Sequence, residues 1–307
     1  MKNFSRISFI LLIIVTAIGA PACNKSKTTA QNSPTNDTLP RIVSDKMRFT
    51  ESTYPYRDGF IVANFGSSEL NPLNLEGKGY LLFLKETTVT MLIPPDGNLN
   101  APRGMYERNG WLFIADVGKI VVYNLNSLNV KPQTVWFPKE DVMVNDLAAH
   151  GDTLFATVSN TGRIFTVNIK DPARVSREKP VKYINIPGPN GIAVAFGKLY
   201  ICSFSQHGKP DAANVVYVVN DLKKPVPEKI ITQPGNYDGI AVSDGGTKLY
   251  VSNWLPAGVI EIDLSTKAVK KINLPVEVTG PADFSLWDGK LIIPDLVKSR
   301  VIMMKMP

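Results

Sequence analysis

Three observations predict an all-β fold, a six-bladed β-propeller of four-stranded antiparallel blades closed by an N-terminal strand. The first is internal repetition, which fixes architecture before any single residue is interpreted. GPNGIAVAFGKLYICSF at 188–204 is echoed by NYDGIAVSDGGTKLYVSNW at 236–254 and GPADFSLWDGKLIIPD at 280–295. Upstream stand APRGMYERNGWLFIAD at 101–116 and VNDLAAHGDTLFATVS at 144–159. The second is the content of each copy: short β-branched and aromatic runs separated by Gly, Asp and Asn, the composition of strands and tight turns. The third is that no stretch sustains apolar residues at three- and four-residue spacing, so helices should be nearly absent.

The chain has 307 residues, enough for one large core, and 44% hydrophobic with 20% charged residues describes an ordinary globular body. At the N-terminus, Lys2 and Arg6 precede an apolar stretch at 7–18 and the small residues Ala20-Pro21-Ala22 before Cys23. That is the pattern of a removable secretory signal, too short to be a permanent span. It resembles a bacterial lipoprotein signal, with Cys23 as the lipidated first mature residue, although Ala20 stands where that pattern prefers Leu. The expected location is the bacterial cell envelope, lipid-anchored, at the outer membrane. If lipidation fails, a Cys23–Cys202 bridge is the other use of the two cysteines, but a tail would have to reach a strand. An isolated cysteine such as Cys202 is most often a small buried hydrophobe. The net charge of +7 falls to about +5 without Lys2 and Arg6, and the surplus is scattered. No nucleic-acid footprint follows from it.

Residues 24–40 are polar and Pro-containing and should form a flexible tether. Globular sequence begins near Arg41, with a short strand expected at 47–50 and another at 59–64. The pattern strand, turn, strand, loop, strand, turn, strand then restarts at Glu51, Arg103, Asn145, Asn190, Asp238 and Asp283, every 42 to 52 residues. Third strands are expected at 119–124, 163–169, 215–219, 259–264 and 299–305. Blades cannot bury both faces alone, and radial stacking buries them. The sixth copy stops after its third strand, so the segment 41–50 should supply the missing outer one.

In such a ring the residues opening the innermost strands gather at one mouth of the central channel. The long loops at 65–79 and 204–213 lie on that same face. Three acids, two carboxamides and one Arg converging there suit oxygen coordination of a hard cation. Arg103 either pairs with Glu51 or Asp283 or binds substrate.

These residues carry a resemblance. Over about 47–307 the chain resembles the senescence marker protein/gluconolactonase/luciferin-regenerating-enzyme family, the regucalcin-type propellers. The resemblance implies one divalent metal, Ca2+ foremost with Mg2+, Zn2+ or Mn2+ as alternatives, held by Glu51, Asn190 and Asp238. Glu51-Ser52, Pro189-Asn190-Gly191 and Tyr237-Asp238-Gly239 match the family's three ligand positions, and Asn145-Asp146 matches its substrate-contacting pair. Departures are Met143, where the family often has Arg, and Thr53-Tyr54-Pro55-Tyr56 after the first Glu. Met143 points away from a sugar acid and toward a neutral lactone. Asn-Gly and Asp-Gly are also ordinary turn dipeptides, so turn chemistry alone is the competing reading of Asn190 and Asp238.

A cation there polarises a lactone or ester carbonyl and acidifies water. Asp238 could accept the water's proton and Asn145 could donate to a substrate oxygen. His150 and His207 are the only histidines, so a His-rich zinc site is excluded, and no nucleophile elbow or phosphate-binding loop appears. Trp111, Trp136, Trp254 and Trp287 read as packing between blades, with Trp254 also placed to line the pocket. The expected reading is a monomeric, membrane-anchored lactone or ester hydrolase. The competing class is a non-catalytic propeller that binds a protein, peptide or glycan on the same face, since fold cannot choose between them.

Overall fold

Successive side chains of a strand point to opposite faces, so a strand buried on both sides must be apolar at every position. The second strand of blade one, Gly59–Asn64, reads GFIVAN and is buried throughout. Phe60 and Val62 pack with Ile292 and Val301 of blade six, while Ile61 and Ala63 pack with Leu112 and Ile114 of blade two. The same division recurs around the molecule. Six apolar clusters fill the six spaces between neighbouring blades, including the space between blade six and blade one.

The computed structural model describes residues 39–306. The expected signal segment, Cys23 and nearly all of the expected tether lie outside the described residues. Six four-stranded antiparallel sheets make the fold, the first being Thr50–Tyr56, Gly59–Asn64, Tyr80–Lys85 and Thr88–Ile93. The innermost strands of blades two to six are Met105–Arg108, Val144–His150, Pro189–Ala195, Tyr237–Val242 and Ser285–Trp287. The third strands fall at Lys119–Asn124, Arg163–Asn168, Val216–Val219, Ala257–Asp263 and Arg300–Lys305, within two residues of expectation. One 3-10 turn, Pro172–Arg177, is the sole helical element among the described residues. No helix among them is long and apolar enough to cross a membrane.

The N-terminal region differs in detail from expectation. Arg41–Val43 pairs antiparallel with Arg300–Lys305, Arg41 opposite Met303. The expected strand at 47–50 does not form. Lys46 and Phe49 take left-handed backbone conformations, with φ of 57° and 52°, which turn the chain away from blade six before Thr50 enters blade one. Leu39, assigned to the tether by composition, packs against the cluster between blades six and one.

Truncation measures what the short pairing contributes. Removing residues through Asp37 should leave the melting temperature unchanged. Removing them through Val43 takes away a buried side chain, worth about 1.5–3 kcal/mol, and bares the edge of Arg300–Lys305. A melting temperature lower by about 5 °C, with aggregation, is expected. Equal melting of the two truncations would show that the pairing contributes nothing.

Candidate functional site

In four blades the innermost strand carries a β-bulge at the same place. Two residues, Asn145 and Asp146, lie opposite Thr157; Asn190 and Gly191 lie opposite Cys202; Asp238 and Gly239 lie opposite Ser252. In blade one Glu51 is the extra residue between the Thr50–Asn64 and Ser52–Ala63 pairs. A bulge leaves one residue outside the ladder and re-aims its side chain, which here turns four polar residues toward the channel. Asn190-Gly191 and Asp238-Gly239 are therefore not turns. Both pairs lie inside strands, and neither glycine has a positive φ.

The bulges are held from the neighbouring blade. The Thr157 hydroxyl donates to the Asn190 carbonyl at 2.6 Å, and the Cys202 thiol to the Asp238 carbonyl at 2.9 Å. The Ser252 hydroxyl does the same to Ala282, at 2.9 Å. Cys202 is thus a buried donor in a structural slot, its thiol pushed well above the ordinary range by burial. Asp146 also ties blade three to blade four, one oxygen accepting from the Ile192 N–H at 2.7 Å.

Glu51, Arg103, Asn145, Asn190 and Asp238 open into one cavity of about 480 Å³. Asp283, the sixth aligned residue, does not line it; its carboxylate accepts from the Ser52 hydroxyl at 2.5 Å. Among the described residues, five buried side-chain polar atoms have no hydrogen-bond partner: Glu51 Oε2, Asn145 Oδ1, Asn190 Oδ1, Asp238 Oδ1 and Trp254 Nε1. All five belong to residues lining this cavity. Leaving a buried acceptor unmet costs about 1–3 kcal/mol, so four at one point call for an explanation.

The orientation of Asn145 follows from its neighbour. The Ser159 hydroxyl spends its one proton on the Pro189 carbonyl at 2.7 Å, so toward Asn145 it can only accept. Asn145 must then present Nδ2 to Ser159, at 3.1 Å, and Oδ1 to the cavity. The donor role expected for Asn145 is not what this geometry offers. It presents an acceptor.

Arg103 lines the cavity but does not make the expected ion pair with Glu51 or Asp283. Its guanidinium is buried and donates to the backbone carbonyls of Val144, at 3.2 Å, and Pro72, tying the 65–79 loop to the channel. No ion pair among the described residues includes it. Its charge still opposes the effect of burial on the acids around it. Glu51 is held well above the usual carboxylate range by burial and then by the charges of Asp238 and Asp283. Asp238 is pushed up to about 7 by burial and by Asp283. The Trp254 indole N–H opposes this: it faces Asp238 closely enough to favour its charged form without closing a well-shaped hydrogen bond. Asp283 is also pushed up to about 7 by burial, and Asp146 well up by burial and by Asp283.

Two carboxylate and two carboxamide oxygens, unpartnered and buried, are the donor set of a hard cation. No three of His, Cys, Asp and Glu among the described residues cluster to hold an ion by themselves, so any shell here needs the carboxamides. Sequence reasoning missed the walls. Phe65, Met143, Phe204 and Leu296 line the cavity, and the Phe204 and Trp254 rings meet edge-on at 5.8 Å. Of the tryptophans, Trp136 is two-thirds exposed, beneath the Lys119 ammonium, rather than buried between blades.

The fold now has named neighbours. No family model matches the chain, and no curated protein matches its sequence. Among solved structures it is similar to one of a nidogen/laminin complex, with a TM-score of 0.60 at 13% identity over 76% of this chain and 88% of that one. It is similar to a catalytically inactive variant of virginiamycin B lyase from Staphylococcus aureus with quinupristin, TM-score 0.58 at 12% identity, covering 88% and 99%. A streptogramin B lyase structure matches equally, TM-score 0.58 at 12% identity, covering 88% and 97%. What these share with this chain is the six-bladed fold.

Proposed function

We propose that this chain is a divalent-cation-dependent hydrolase of lactones or esters, with Glu51, Asn145, Asn190 and Asp238 around the ion. The observation that carries the reading is the coincidence of the four unpartnered acceptors in one cavity. Two carboxylates balance a 2+ charge, and an all-oxygen set favours Ca2+ or Mg2+ over softer ions. When bound, such an ion supplies polarisation of a carbonyl and acidification of water. The chain's own groups do the rest. Glu51 and the carboxamides orient, and Asp238 takes a proton from the attacking water. Water's oxygen bonds to the acyl carbon, the acyl C–O bond breaks, and the leaving oxygen takes up a proton as a hydroxyl.

A lyase reading finds less support. The inactive variant of virginiamycin B lyase carries a histidine-to-alanine substitution, and no histidine lines the cavity here. The test is a calorimetric calcium titration of the purified protein, followed by lactone and aryl-ester hydrolysis with and without chelator. Binding of one ion and chelator-sensitive turnover are expected. If no divalent ion binds, the hydrolase reading gives way to a propeller that only binds a partner on this face.

We also propose that Cys23 is acylated and anchors the protein to the envelope membrane, which rests on the signal pattern ahead of it. Buried acyl chains contribute about 0.8 kcal/mol per CH2, so several hold a protein firmly. Cys23→Ser should move the protein to the soluble fraction and abolish fatty-acid labelling. Unchanged partitioning would refute the anchor.

A further inference from the structure

The polar side chains lining the cavity fall into two groups. Those around the candidate ion have unmet oxygens, whereas the two serine hydroxyls already spend their protons on backbone carbonyls. Ser159 donates to the Pro189 carbonyl, Ser205 donates to the Lys209 carbonyl at 2.7 Å, and Arg103 gives one N–H from each of two guanidinium nitrogens to carbonyls. The one buried donor there without a partner is the Trp254 indole N–H, which faces Asp238.

The remaining walls are apolar. Phe65, Met143, Phe204, Trp254 and Leu296 surround the oxygens, and Leu70 joins the cavity to the surface with 40% of its area exposed. Leu73 and Leu75, on the same loop, are exposed at 41% and 74%. A polyhydroxylated ligand would lose its water along these walls and find no polar side-chain partner on Phe65, Met143, Phe204 or Leu296 in exchange, at about 1–3 kcal/mol for each unmet group. An alkyl or aryl group loses nothing of that kind and gains by burial.

We propose that the cavity takes a neutral lactone or ester bearing an apolar alkyl or aryl group, which lies against Phe65, Phe204 and Leu296 and leaves past Leu70. This rests on the hydrolase reading for the placement of the carbonyl. The chemistry of the walls stands without it.

The experiment uses non-hydrolysable probes on the full chain. γ-Lactams carrying methyl, propyl or pentyl groups, with gluconolactam as the polyol comparison, are titrated by calorimetry with and without calcium. Affinity should rise about fourfold for each added methylene, and gluconolactam should bind most weakly. Leu296→Asn should flatten the series, and the wild-type series decides alone if that variant does not fold. Equal affinities along the wild-type series, or tighter binding of gluconolactam, overturn the proposal. A rising series in a protein that binds no calcium would leave this inference standing while the hydrolase reading fell. Chelator-sensitive hydrolysis with a flat series would do the reverse.

Discussion

Asp238→Asn is expected to weaken calcium binding by about 100-fold or more and to abolish hydrolysis, while the cation-free protein keeps its fold and gains stability at high pH. The carboxamide matches the carboxylate in shape but removes a charge and the proton acceptor together. The gain follows from linkage. Burial holds Asp238 up near 7, above the value of about 3.9 of an unfolded chain. The folded protein therefore binds a proton that the unfolded chain releases. For the cation-free wild type, this contribution is most favourable at low pH and is lost as pH rises from about 4 toward 7. The variant has no such proton to lose.

A cation reverses the sign of the Asp238 contribution, which the variant lacks. Its ligands must be deprotonated, so affinity should rise with pH up to about 7, by up to about tenfold per unit for each proton displaced. At 100 times its dissociation constant, calcium would add about 2.7 kcal/mol, or about 5–10 °C in melting temperature. Thermal melts of wild type and variant at pH 5 and pH 8, with calcium and with chelator, read both effects. An equal calcium shift in the two proteins would remove Asp238 from the ion's shell.

The second large effect is expected from Gly239→Ala. A methyl group there would lie 2.8 Å from both Asp283 Cα and Phe284 N, and 2.9 Å from the Ala282 carbonyl oxygen. All three are backbone atoms of the next blade, which cannot rotate aside as a flexible side chain can. Overpacking of this kind costs about 1–3 kcal/mol, and here it also shifts the bulge that aims Asp238. Melting should fall by about 5–10 °C, with loss of calcium binding. Gly197→Ala is the comparison. It occupies a turn at φ 71° with open space around it, so it should pay only backbone strain of about 1 kcal/mol. If Gly239→Ala melts no lower than Gly197→Ala, close approach of the blades is not why glycine stands at position 239.

What the sequence determined by itself was the ring. Each strand that packs between two neighbours must be apolar on both faces, so runs such as WLFIAD and KLIIPD mark the second strands of blades two and six directly. Because every blade repeats the same local problem, Glu51, Arg103, Asn145, Asn190, Asp238 and Asp283 could be aligned by their position in the repeat alone. Tertiary structure then decided what each of them does. The bulges depend on pairing across two strands, which no single strand encodes, and they separate Asn190 and Asp238 from the turn dipeptides they resemble. Asn145 presents an oxygen only because Ser159, fourteen residues away, has given its proton to Pro189 of the next blade. Arg103 gives one N–H from each of two guanidinium nitrogens to Val144 and Pro72, carbonyls that any residues could provide. The apolar walls are set by loops outside the repeat: Phe65 and Leu70 from one, Phe204 from another, Leu296 from a third. A repeated pattern carries the requirements that every blade shares. The character of the cavity lies in the segments that differ, and only folding brings those to one place.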